Sequence, residues 1–181
     1  MAKKFTDVRT TQDFFLEIHD LAAKGITTGW PDGTFRPLAE VQRVAVVAFL
    51  YRAFGSPSFT PPVRSPFRDM SPSSMFYKET AWAAAKGIVQ GWTDGTFRPT
   101  APIQRAAIAA MLMRAAGGTG QTARTPFRDV PASHQFAKEI GWAANNGITR
   151  GWSDGTFRPW EPTNRDAMAA FMTRWLTLTG R

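Results

Sequence analysis

At 181 residues the chain is long enough to bury a substantial core, and the absence of cysteine excludes disulfides, thiolate metal sites and cysteine nucleophiles. A formal net charge of +8 favours an anionic partner, of which acidic polysaccharide, nucleic acid and membrane surface are the candidates. No apolar run reaches the roughly 20 residues that cross a bilayer, so membrane insertion is not expected.

Met1-Ala2-Lys3-Lys4 leads into Phe5-Thr6-Asp7 with no apolar segment of signal-peptide type. The chain is therefore expected either to be a piece of a longer secreted protein or to act without a secretion signal.

The pattern Phe-x-Asp-(Val/Met) opens three stretches, at Phe5-Thr6-Asp7-Val8, Phe67-Arg68-Asp69-Met70 and Phe127-Arg128-Asp129-Val130. A first helix is predicted after each, with Asp13, Ser73 or Ser74, and Ser133 as N-caps. Its apolar positions recur with helical spacing at Phe14/Ile18/Leu21, Phe76/Thr80/Ala83 and Phe136/Ile140/Ala143. Gly25, Gly87 and Gly147 are expected to end these helices as C′ residues.

A nine-residue stretch, Gly-Trp-x-Asp-Gly-Thr-Phe-Arg-Pro, follows at Gly29–Pro37, Gly91–Pro99 and Gly151–Pro159. Phe5, Phe67 and Phe127 each lie 25 positions before Trp30, Trp92 and Trp152, so the whole chain is a threefold repeat. Units of this length must pack on each other to complete a core. Within the nonamer, Asp-Gly makes a tight turn and the residue before proline is driven out of the helical region.

A second helix is predicted at roughly 41–54, 103–116 and 163–176. Its buried columns are Val46/Ile108/Met168, Phe49/Met111/Phe171 and Leu50/Leu112/Met172. Alanine at 45/107/167 and 48/110/170 would allow close approach of helix backbones, so these three helices are expected to form a central bundle. The units are residues 5–54, 67–116 and 127–178 of a single domain, 1–181. Residues 55–66 and 117–126, rich in Gly, Pro, Ser and Thr, are surface links, and the last helix is expected to fray from Thr177 to Arg181.

The charge is mostly balanced in register. Asp7/Asp69/Asp129, Glu17/Glu79/Glu139 and Asp32/Asp94/Asp154 offset Arg36/Arg98/Arg158, Arg43/Arg105/Arg165 and Arg52/Arg114/Arg174. The excess lies at scattered positions such as Lys3, Lys4, Arg64, Arg124, Arg150 and Arg181. With no basic run, nucleic acid is not expected as a partner.

These motifs resemble the S-layer homology domain, in triplicate over nearly the whole chain. The resemblance implies an all-α, three-pronged, pseudo-threefold domain that binds cell-wall polysaccharide in grooves between prongs and anchors proteins to the bacterial envelope. The family's second-helix signature, Ile-Thr-Arg-Ala-Glu, stands here as Val41-Gln42-Arg43-Val44-Ala45, Ile103-Gln104-Arg105-Ala106-Ala107 and Thr163-Asn164-Arg165-Asp166-Ala167. The arginine is kept three times and the glutamate is alanine three times. Tryptophan-rich loops and alanine-rich second helices are similar to actinobacterial versions of the domain.

By the same resemblance, Arg43, Arg105 and Arg165 would contact a ligand carboxylate, and Gly29, Gly91 and Gly151 would let a sugar approach the backbone. A guanidinium suits bidentate recognition of carboxylate, ketal or phosphate, against the alternative of a salt bridge or bonds to loop carbonyls. Trp30, Trp92 and Trp152 either stack on sugar faces or anchor the loops. Trp82 and Trp142 share a column with Asp20, which would make one groove unlike the others.

Asp32, Asp94 and Asp154 are expected to be turn-formers, and Arg36, Arg98 and Arg158 to bond loop carbonyls. Arg105→Ala is expected to behave as a surface change, within about 1 kcal/mol. No cofactor or metal is expected and no catalysis: His19 and His134 occupy non-equivalent columns, and Glu17, Glu79 and Glu139 would sit on separate prongs. The expected partner is an anionic cell-wall polysaccharide. The alternative is a structural role, with the prongs contacting other surface or virion proteins.

Overall fold

The computed structural model describes residues 4–118 and 124–181; Met1 to Lys3 and residues 119–123 of the second link lie outside the described residues. Six helices follow in order: α1 (Phe15–Ala23), α2 (Arg43–Ala53), α3 (Tyr77–Ala85), α4 (Arg105–Ala115), α5 (Ala137–Asn145) and α6 (Arg165–Thr179). The fold is all-α and built from three helix–loop–helix repeats.

The repeats meet at a ring of backbone bonds. Val41 N–H donates to Thr163 O at 2.8 Å, Ile103 N–H to Val41 O at 2.8 Å, and Thr163 N–H to Ile103 O at 3.0 Å. Each of these residues is at most 1 % exposed, so the bonds satisfy groups that water cannot reach. The second helices start at the ring and are capped by the following unit. Arg43 N–H reaches Ala101 O and Val44 N–H reaches Pro99 O, a pattern repeated at Arg105/Ala106 and Arg165/Asp166.

That ring is why the second helices begin two residues later than their periodicity predicts: Val41, Ile103 and Thr163 are extended and paired, not helical. It also explains why Gln42, Gln104 and Asn164 form no side-chain cap, since the neighbouring repeat already supplies the acceptors.

Helices α2, α4 and α6 form the centre. Their side chains Val46, Ile108, Met168, Leu50, Leu112 and Met172 are fully buried in the core, and Trp175 of α6 donates its indole N–H to Leu112 O of α4 at 2.9 Å. Each central helix packs against the first helix of another repeat, α2 on α3, α4 on α5, and α6 on α1. Every prong therefore mixes two repeats, and the α1–α6 pair joins the first repeat to the last.

The first helices end as their sequence requires. Gly25, Gly87 and Gly147 have φ of 69°, 69° and 70°. In the first repeat, Gly25 N–H bonds Ala22 O and Ile26 N–H bonds Leu21 O, the Schellman pairing. Their starts differ from expectation, because none has a side-chain cap. The Ser74 hydroxyl accepts from Ser71 N–H, within a turn that precedes α3. The expected fraying of the last helix is also absent. Helix α6 runs to Thr179, Arg181 N–H bonds Leu176 O, and the Arg181 guanidinium lies 3.9 Å from the Phe54 ring centroid.

One ring member is imperfect. The Thr163 hydroxyl is buried with no hydrogen-bond partner among the described residues, while its counterparts are the apolar Val41 and Ile103. Thr163→Val is expected to raise stability by about 1 kcal/mol, because a buried hydroxyl without a partner is replaced by a methyl of similar shape. Urea denaturation of the two proteins measures the difference.

Candidate functional site

Each repeat holds its nonamer loop through the opening Phe-x-Asp. Asp69 accepts from Phe97 N–H at 2.8 Å and from Arg98 N–H at 2.7 Å, and Asp7 and Asp129 do the same for Phe35/Arg36 and Phe157/Arg158. This grip fixes Arg36, Arg98 and Arg158 at φ of 60°, 57° and 57°, a left-handed conformation that costs a non-glycine residue energy. The Phe5, Phe67 and Phe127 rings sit against the loops, with centroids 5.3, 5.1 and 5.4 Å from Phe35, Phe97 and Phe157.

Inside each loop, Asp32, Asp94 and Asp154 are turn-formers as expected. Asp94 accepts from the Thr96 N–H at 2.9 Å and hydroxyl at 2.6 Å, and pairs with Arg98 at 3.1 Å. Arg36, Arg98 and Arg158 thus bond the aspartate and the threonine hydroxyl rather than loop carbonyls. They also stack on Trp30, Trp92 and Trp152 at 4.2, 4.1 and 4.2 Å.

Hydrogen bonds from the threonine hydroxyl, first among the causes, hold all three carboxyls down from 3.8 to about 2. A depressed carboxylate stabilises above its unfolded value, and that contribution disappears as pH falls through the folded value. Stability is therefore expected to drop between pH 3.8 and about 2. Asp94→Asn is expected to flatten the fall, as thermal melts across that range would record.

Grooves lie at repeat-related positions along the three seams, with volumes of about 220, 340 and 600 Å³ for those beside Trp30, Trp92 and Trp152, hereafter grooves 1, 2 and 3. Each joins the Gly-Trp of one repeat to the second-helix arginine of the preceding one: Gly29-Trp30 with Arg165, Gly91-Trp92 with Arg43, and Gly151-Trp152 with Arg105. Phe76, Phe136 and Phe14 from the following repeat form the far wall. The tryptophans are 41 %, 44 % and 46 % exposed, so they present open ring surface.

The arginines combine both roles considered for them. Each Nε donates to a loop carbonyl of the next repeat: Arg43 to Phe97 O at 2.9 Å, Arg105 to Phe157 O at 2.8 Å, and Arg165 to Phe35 O at 2.7 Å. That bond clamps the guanidinium of a residue that lines the groove. Desolvation, the largest cause, lowers the pKa of all three, to about 10 for Arg165, and the like charge of a loop arginine adds to the effect. An anion entering the groove would relieve both penalties. At 8 % exposed, Arg105 is a buried side chain, so Arg105→Ala is not the surface change expected from sequence.

The glycines have an internal reason to be glycine. A Cβ at Gly91 would lie 2.6 Å from Phe67 Cε1 and 2.8 Å from Thr96 O, and Gly29 and Gly151 are equally crowded. They line the grooves, but packing and positive φ already demand them.

Trp82 and Trp142 line none of the three grooves. Trp82 is 2 % exposed, edge-on to Tyr51 and Phe54 between α2 and α3, and Trp142 packs on the core from α5. In the third prong Asp20 holds this position and pairs with Lys24. The alanines expected to bring helices together, Ala45, Ala107 and Ala167, instead floor the grooves.

Two features escaped the sequence reasoning. Phe14 and Phe76 have φ of 60° and 56°, a strain that points to a constrained position on the groove wall. Trp160, just beyond the third nonamer, is half-exposed in groove 2. Its column, Leu38/Thr100/Trp160, was the signal available.

The family model of the S-layer homology domain matches residues 4–43, 66–109 and 126–169. "Cell surface glycoprotein 1" of Acetivibrio thermocellus is 27 % identical over 159 residues, covering 82 % of this chain and 7 % of that protein. An "Endoglucanase" of a Bacillus species is 30 % identical over 178 residues, covering 95 % of this chain and 18 % of that protein. The "Cellulosome-anchoring protein" of A. thermocellus is 29 % identical over 141 residues, covering 75 % and 31 %. The chain thus spans less than a third of the length of each of these relatives. With the three matched stretches falling on the three repeats, the chain belongs to the S-layer homology domain family.

Proposed function

We propose that this chain is a non-catalytic module that binds an anionic cell-wall polysaccharide in its three grooves, with Arg43, Arg105 and Arg165 receiving the acidic group and Trp92, Trp152 and Trp30 offering their faces to sugar rings. Domains of this family anchor proteins to the cell wall, and the cell surface is the chain's location. The observation that carries the sugar-binding role is the state of the three arginines, each a desolvated cation fixed through Nε at an open groove beside an exposed indole.

Ala45, Ala107 and Ala167, where the family signature has glutamate, add no carboxylate of their own to the groove linings. An actinobacterial likeness rests on the tryptophan-rich loops and alanine-rich helices alone. The relatives named above come from Acetivibrio and Bacillus and lend it no support.

The test is co-sedimentation with purified sacculi before and after extraction of their secondary polymers. Retention is expected to vanish on extraction, and the triple change of Arg43, Arg105 and Arg165 to Gln is expected to lower it at least about tenfold while the protein stays folded. Retention that survives extraction, or is never seen, would overturn the proposal.

A further inference from the structure

We infer that the three grooves are unequal and that groove 2, where Arg43, Trp92 and Trp160 meet, is the principal site for the acidic sugar, whereas groove 3 is silenced by its own carboxylates; this rests on the polysaccharide-binding role proposed above. The charges around the grooves differ although the repeat is nearly symmetric. Groove 3 is lined by Arg105, Arg150 and Arg174, but also by Asp13, Glu161 and Asp166. Groove 1 sets Glu40 against Arg52 and Arg165, while groove 2 has Arg43 and Arg114 and no carboxylate in its lining.

The acids of groove 3 are departures from the repeat, since Glu161 stands where the other copies have Ala39 and Ala101, and Asp166 where they have Val44 and Ala106. Glu161 shares the groove lining with Arg105 and is the foremost charge that favours its protonated form, while it also pairs with Arg158 at 3.7 Å. An incoming carboxylate there must displace or oppose a resident one.

Arg43 meets no such competitor. The carboxylate that favours its charge is Asp69, whose two oxygens are already engaged by Phe97 and Arg98 N–H. Glu139 lies outside the lining and approaches Arg114 at 3.8 Å, so the open cation of groove 2 is Arg43.

Groove 2 is also the one built for a sugar ring. Trp160, 50 % exposed, adds a second indole to Trp92, and Gln104 and Gln135 supply neutral donors and acceptors for hydroxyls. Its volume of about 340 Å³ falls in the usual ligand range, roughly 300–1,000 Å³, whereas groove 1 at about 220 Å³ does not.

The experiment measures equilibrium binding of the whole chain to sacculi that retain their secondary polymer, with melting temperature recorded for every variant. Trp160→Thr, which installs the residue of the second repeat, is expected to weaken binding about tenfold, against about twofold or less for Leu38→Thr at the matching place in groove 3. Arg43→Gln is expected to cost about ten times more affinity than Arg105→Gln.

In the Arg43→Gln background, Glu161→Ala with Asp166→Ala is expected to restore binding about fivefold by opening groove 3. Failure of that recovery overturns the role given to the carboxylates. Equal losses across the grooves, or a larger loss from Arg105→Gln, overturn the inference while anchoring stands. Wild-type protein that does not bind sacculi overturns both, and Trp160→Thr, at a half-exposed site, decides the matter should Arg43→Gln not fold.

Discussion

Asp69→Ala is expected to destabilise the domain by about 3 kcal/mol, because it removes two charge-assisted bonds at once and leaves two backbone donors without partners. The Asp69 carboxylate holds Phe97 N–H at 2.8 Å and Arg98 N–H at 2.7 Å. It thereby compels Arg98 into a left-handed conformation that would otherwise relax.

The damage should not stay local. Phe97 is fully buried, and its carbonyl is the acceptor that fixes Arg43 of the preceding repeat. Asp69→Asn retains one acceptor but turns an N–H₂ towards the second donor, so an intermediate loss of about 1.5 kcal/mol is expected. Urea denaturation at neutral pH measures both. A loss under about 0.5 kcal/mol for Asp69→Ala would mean that the loop is held by something other than this carboxylate.

Gly91→Ala is expected to cost about 3 kcal/mol, and Gly87→Ala only about 1. The two glycines have nearly the same φ, 68° and 69°, so the intrinsic penalty of a left-handed alanine is common to both. They differ in surroundings. A Cβ at Gly87 meets nothing within 4 Å, whereas at Gly91 it strikes the Phe67 ring at 2.6 Å and the Thr96 carbonyl at 2.8 Å.

Neither obstacle yields easily. Phe67 is packed on Phe97, and Thr96 O accepts Trp92 N–H at 2.8 Å across the turn. Denaturation curves for the two variants would separate packing from conformational strain. Equal losses would show that φ alone requires the glycine, and would reopen the space beside it as room kept for a ligand.

Much of the site could be read from residue order because its parts are local or strictly repeated. The Asp-Gly turn and the C′ glycines lie within one unit, where spacing alone limits what can touch; the hold of each opening Phe-x-Asp on its own nonamer is equally local, yet of it the sequence showed only a constant spacing. The buried columns of the second helices followed from periodicity for the same reason.

Partner choice across units was another matter. Trp82 and Trp142 share a sequence column with the charged Asp20 and so read as groove residues, yet helix pairing turns one into the core between α2 and α3 and packs the other on the core from α5. Ala45, Ala107 and Ala167 read as helix contacts and became groove floors, since close packing falls to the first helices of neighbouring repeats.

By itself, then, the order of residues determined a threefold helical repeat, its turns and its buried stripes, because those depend on short-range sterics and on the period of apolar side chains. Only the tertiary structure decided that Val41, Ile103 and Thr163 close a ring, and that Arg43 therefore serves the groove of the next repeat, not its own. It also decided that carboxylates from distant segments line the groove that holds Arg105 and not the one that holds Arg43. Those outcomes arise from contacts between residues about 50 to 130 positions apart, and such contacts form only when backbone groups buried at the axis find their partners in another unit.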